Sequence, residues 1–106
     1  MVGAGRKNNN NQFEGVLMGD VAIGSGDSAI VTPGLYGFHN GAQSFGFKID
    51  GTAFLGKQGR GRINFNGDSG IISSGNYSID NKTGMQIDLD DGKIDAYNFS
   101  LKGIEG

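Results

Sequence analysis

FGFKIDGTAFLGKQGRGRINF, residues 45–65, is the stretch whose reading decides the fold. Phe45, Phe47 and Ile49 alternate with Gly46 and Lys48, the period of a strand with one buried face. Asp50-Gly51 follows, a dipeptide suited to a two-residue type I′ turn because both central residues need positive φ. Thr52–Leu55 then runs back. In such a hairpin Ile49 faces Thr52 and Phe47 faces Phe54, so two aromatics form a cross-strand pair. One hairpin with one apolar side is the expectation.

The composition extends that reading to the whole chain. Gly is the commonest residue, 21 of 106 with a single Pro, and no G-X-Y period runs through it, which excludes collagen. Gly and Asn reach positive φ most easily, so their excess implies many tight turns. Good helix formers are scarce, and Glu occurs only at positions 14 and 105. Ile and Phe lead the apolar set. The expected class is all-β, built of Gly-rich short strands and hairpins.

At 106 residues the chain holds one domain, small for burying a core alone. The net charge is −2 and no basic run exceeds Arg6-Lys7, which argues against a nucleic-acid surface. No cysteine is present, so disulfides and thiolate chemistry are excluded. No apolar run reaches membrane-spanning length, so no membrane insertion is expected. Such a chain gains most simply from oligomerisation.

Residues 1–11, MVGAGRKNNNN, are polar and of low complexity and read as a flexible lead-in, leaving 12–106 as a single β-rich module. Short strands are expected at Phe13–Met18, Val21–Ile23, Ala29–Thr32 and Leu35–His39, with Pro33-Gly34 as a stop. After the central hairpin come Arg62–Phe65, Ile71–Ser73, Asn76–Ile79, Met85–Asp90 and Lys93–Leu101. Turn dipeptides at Asn40-Gly41, Asp50-Gly51, Asn66-Gly67 and Asp91-Gly92 suggest a meander of hairpins. In the last one Leu89 faces Ile94, Ile87 faces Ala96, and Asp88 meets Asp95 as an unfavourable like-charge pair. The parity of Phe99 and Leu101 implies a bulge near Tyr97-Asn98.

Motifs that could carry chemistry are fragmentary. Gly67-Asp68-Ser69-Gly70 matches the GDSG around the nucleophile of chymotrypsin-like proteases, and His39, Asp50 and Ser69 fall in the matching order. That fold needs far more chain, and turn residues after an Asn-Gly hairpin explain the match. Asp88, Asp90 and Asp91 before Gly92 resemble a calcium loop but fail the EF-hand pattern, with Phe99 where a Glu is required. Gly24–Asp27 is one copy of a calcium repeat that needs many. Lone His39 could bind metal only if copies met on a symmetry axis. Lys57, Arg60 and Arg62 sit in a Gly-rich loop that could grip an anion. No catalytic residue, metal site or cofactor is assigned.

Two longer stretches resemble a known family. LYGFHNGAQSFGFKIDGTAFLGKQGRGRINFNGDSGIISSG (35–75) and GMQIDLDDGKIDAYNFSLKG (84–103) resemble segments of minor structural proteins of siphovirus-like phages and prophages of Gram-positive bacteria. Those are tail-tip, tail-fibre and baseplate proteins. The resemblance implies a trimeric fibre module, an intertwined β-helix or a triangular β-prism, found in the virion tail and made in the bacterial cytoplasm. It implies partners as well: two further copies of the chain and flanking segments of a larger tail protein. It supplies no catalytic motif.

On that basis the chain is expected to be a non-enzymatic structural module that extends a fibre and could present a host-receptor surface. Phe45, Phe47, Ile49, Phe54, Ile63, Phe65, Ile87, Leu89 and Ile94 are the candidate trimer core. The alternative is a carbohydrate-binding module for a bacterial surface glycan, with Tyr36, His39, Arg60 and Tyr97 as candidate contacts. A polysaccharide depolymerase is a third reading; nine aspartates make carboxylate pairs easy to imagine and so discriminate poorly.

Overall fold

Asn40 and Gly41 adopt φ of 52° and 78°, and His39 pairs directly with Ala42. This is the two-residue type I′ hairpin that Asn-Gly favours. An antiparallel meander extends from it in both directions. The computed structural model describes residues 2–23, 30–59 and 61–103. The strands are β1 (Val2–Lys7), β2 (Phe13–Ile23), β3 (Ile30–His39), β4 (Ala42–Lys48), β5 (Thr52–Leu55), β6 (Ile63–Asn66), β7 (Ile71–Ser74), β8 (Met85–Asp88) and β9 (Lys93–Ala96). They form one antiparallel sheet whose spatial order equals chain order, and no helix occurs among the described residues. The protein is all-β.

Several elements differ from expectation for identifiable reasons. Val2–Lys7, within the segment read as a lead-in, pairs along its length with β2. The asparagines that follow are its turn: the Asn8 side chain accepts from the N–H groups of Asn10 and Gln12, and Asn11 takes φ of 62°. Asn bonds its own backbone and tolerates the left-handed region, so it builds turns as well as linkers. Strands β2 and β3 are continuous through Gly19-Asp20 and Pro33-Gly34. Pro33 is tolerated because β4 reaches β3 only as far as Gly34, so no ladder donor is needed at 33 on that side. The Gly24–Asp27 turn and Arg60 lie outside the described residues.

The central hairpin is shifted by one residue. Phe54 pairs with Gly46 and Phe47 with Ala53, so Phe47 and Phe54 occupy opposite faces rather than forming a pair. Asp50 is the cause. Its carboxylate accepts the Thr52 N–H at 2.9 Å and the Thr52 hydroxyl at 2.6 Å. Gly51 alone takes positive φ, 87°, which gives a three-residue loop. A one-residue slip exchanges the faces of a whole strand.

Two further turns share one design. In Asn66–Ile71 the Asn66 side chain accepts from Asp68 and Ser69 N–H, and Gly70 closes the loop with φ of 73°. In Asp88–Lys93 the Asp88 carboxylate accepts from Asp90 and Asp91, and Gly92 has φ of 68°. This longer loop moves the last register by two residues. Ile87 faces Ile94, Asp88 faces Lys93 and Asp95 faces Gln86, so the expected Asp88–Asp95 repulsion does not arise. Asn76–Ile79 is not a strand; only Ser78 bridges to Thr83. The register shift occurs at Gly37/Phe38, leaving Ser44 as the extra residue, while β9 ends at Ala96 before the position where a bulge was expected.

The core is small. Among the described residues only Tyr36 and Phe54 are buried hydrophobics, at 0% and 3% exposure, with Leu17 and Phe38 packed against them. Their rings lie 6.3 Å apart. A Cβ at Gly46 would collide with the Phe54 ring, so that glycine makes the room in which the ring lies. Burying one such side chain stabilises by roughly 1.5–3 kcal/mol, modest against the ordering of a chain this long.

Candidate functional site

Because the side chains of a strand alternate, the register divides the sheet into two faces of contrasting chemistry. Met18, Leu35, Phe47, Ala53, Phe65, Ile72, Ile87 and Ile94 are successive cross-strand partners from β2 to β9. They form one uninterrupted apolar line across eight strands. A second line on the same face runs Ala4, Val16, Gly37, Phe45, Leu55, Ile63 and Ser74. Much of this surface is open: Phe47 is 53% and Ile94 58% exposed, and Val16, Met18, Leu55 and Ile63 are exposed as well.

Among the side chains described, the charged ones on this face are Arg6, Glu14 and His39, at one end; the register also puts position 20, an aspartate, on this side of β2. Glu14 reaches Arg6 Nη2 at 3.7 Å and His39 Nε2 at 3.5 Å. The opposite face begins with the aromatic cluster and continues across β5–β9 as Thr52, Asn64, Asn66, Ser73, Gln86, Asp88, Lys93 and Asp95, with Ile71 the apolar residue among them. A sheet with one apolar face needs a second layer. None is present within the described residues.

Six of the nine candidate core residues, Phe45, Phe47, Ile63, Phe65, Ile87 and Ile94, fall together on the apolar face. Phe54 is on the other face, for the register reason given above. Ile49 and Leu89 lie in turns at the sheet margin and are exposed.

The candidate glycan contacts do not converge. Tyr36 is fully buried and donates its hydroxyl to the Thr32 carbonyl at 2.8 Å, so it has no ring face to offer a sugar. Burial, helped by the nearby Asp50 charge, raises its pKa. His39 ends β3 while Tyr97 follows β9, at the other end of the sheet, beside Tyr77 at 6.3 Å between ring centroids. No family model matches the chain, and no curated protein or solved structure matches it either.

The fragments of catalytic motifs are dispersed in the same way. His39 and Asp50 flank opposite ends of β4, so the His39, Asp50 and Ser69 order has no counterpart in space. The Asp88 carboxylate is engaged as a turn acceptor.

One feature of the polar face was not anticipated in the sequence. The Arg62 guanidinium lies 4.0 Å from the Phe54 ring centroid and Lys48 Nζ 5.7 Å from it, stacked as cations over an aromatic ring. Desolvation lowers the pKa of Arg62. The available signal was alternation: Lys48 falls between Phe47 and Ile49, which turns it away from the apolar side.

Proposed function

We propose that the chain is a structural module of a phage or prophage tail fibre or tail tip, assembling as a homotrimer through its apolar face. The observation that carries this reading is the eight-residue apolar line from Met18 to Ile94 on a single-layer sheet. With overall dimensions of 53 × 31 × 25 Å, the broad face exceeds the roughly 800 Å² per partner of a standard interface. Copies of the same chain are the occupant best matched to it. The face is apolar along nearly its whole length, and Glu14 pairs with Arg6 at its margin. Three such sheets turned inward make a triangular prism, with the polar faces outward. The resemblance of residues 35–75 and 84–103 to tail structural proteins supports the same assignment, with flanking tail segments as neighbours along the fibre.

The reading is non-enzymatic, because the resemblance that supports it brings no catalytic motif. Light scattering behind size exclusion tests it. A mass three times the 11.1 kDa of the chain, held on dilution, is the expected result. A stable single-chain mass would overturn it.

A further inference from the structure

We infer that the polar face carries a binding site for an anionic carbohydrate, a sugar or polyol bearing a phosphate or carboxylate group. The site is a concavity of about 340 Å³ over β5–β7, bordered by Lys48 and Arg62 and floored by Asn64 and Ser73. That volume lies within the roughly 300–1,000 Å³ range of small-ligand sites. This goes beyond the structural assignment and does not depend on it, because the concavity lies on the face that assembly would leave outward.

The two cations are brought together by Phe54. Both sit within 6 Å of its ring centroid, although they come from different parts of the chain. Arg62 Nε donates to the Gly56 carbonyl at 3.2 Å, which fixes the side chain and leaves its two Nη groups for a ligand. Among the described residues neither Arg62 nor Lys48 forms an ion pair; Asp50 is the carboxylate whose charge Lys48 influences. A partly desolvated guanidinium without a counter-ion favours an incoming anion, and its planar fork matches phosphate or carboxylate oxygens.

The floor determines what the anion is attached to. Asn64 and Ser73 are register partners, and Thr52, Asn66 and Ser69 complete a wall of amides and hydroxyls. Phe54 and Ile71 add apolar surface to the same lining, against which the C–H face of a sugar ring can lie. Such a lining suits a ligand covered in hydroxyl groups, while Lys48 and Arg62 hold its charged substituent.

The test is a titration of the ¹⁵N-labelled full chain, in whatever assembly state it adopts, with glucuronate, glucose 6-phosphate, glucose and inorganic phosphate. The expected result is saturable shifts at Asn64 and Ser73 with at least one charged sugar, about tenfold tighter than with glucose or inorganic phosphate alone. Whichever charged sugar binds identifies the anion. Lys48→Gln should weaken that binding by about tenfold, the scale of a lost charge-assisted contact, with the remaining spectrum unchanged. Asn64→Ala offers a second variant that leaves both cations in place and should also weaken it. The proposal is overturned by absence of saturable shifts, by equal binding of glucose or inorganic phosphate, or by full affinity in both variants. The solution mass is read separately, so a monomer that binds would sink only the assembly reading.

Discussion

Phe54 occupies the space into which any side chain at Gly46 would project, because the two residues are cross-strand partners on β5 and β4. The relationship joins the sheet's small core to its backbone. Gly46→Ala should therefore destabilise by about 2 kcal/mol through overpacking, read as a lower urea midpoint. The double variant with Phe54→Ala should lose less than the sum of the single losses, because both changes act on one space.

Phe47 separates the assembled from the isolated chain. It is half exposed in a single sheet, with its ring 5.8 Å from that of Phe45, so Phe47→Asp should cost the isolated chain about 1–2 kcal/mol. Covered by another copy, the same aspartate would be a buried, unpaired charge. The expected outcome is a fall to the single-chain mass of 11.1 kDa with the β-type circular dichroism spectrum kept. An unchanged trimer would remove the apolar face from the interface.

The turns give a paired prediction of opposite sign. Asn66→Ala removes the acceptor for Asp68 and Ser69 N–H and should cost about 1 kcal/mol, as loss of a comparable cap does. Lys82 holds φ of 54°, a conformation that strains a side chain with a Cβ. Lys82→Gly should therefore stabilise by about 0.5–1 kcal/mol. Thermal unfolding of the two variants should move in opposite directions.

Asp50 contributes an acid-sensitive element. The Thr52 hydroxyl and then the Thr52 N–H hold its carboxyl below the ordinary value of 3.8, with the Lys48 charge adding to the effect. A folded pKa that is depressed gives stability present above the unfolded value and lost as pH falls through the folded one. Stability should thus decline below about pH 4, and Asp50→Asn, which keeps an acceptor oxygen, should flatten that part of the profile. An identical acid profile in the variant would exclude this contribution.

Strand identity was largely legible in the sequence, whereas register was not. Asn40-Gly41 behaves as its dipeptide implies because both residues take positive φ and neither side chain intervenes. Asp50-Gly51 reads the same way, yet the Asp50 carboxylate captures Thr52 and adds a residue to the loop. That single hydrogen-bonded residue reverses the face of Phe54 and removes it from the apolar set. At Asp88 the longer loop shifts the pairing by two, so Ile87 and Ile94 keep their face and only Leu89 is displaced into the turn. Lys48 and Arg62 approach each other through Phe54, a proximity that arises only once β4, β5 and β6 are aligned. Asn8–Asn11 looked like linker because composition does not distinguish a solvated asparagine from one that closes a turn.

The meander in chain order has a consequence for how the molecule is lost and gained. Among the described residues substantial contact runs only between strands adjacent in sequence, so the energetics approach those of a one-dimensional array with nearest-neighbour coupling. Folding then needs only local loop closures and can spread hairpin by hairpin from the Tyr36–Phe54 region. Opening at β9 breaks one neighbour contact and leaves the distant strands untouched. Insertion of a whole hairpin would extend the array while keeping strand direction and the division between its apolar and polar sides.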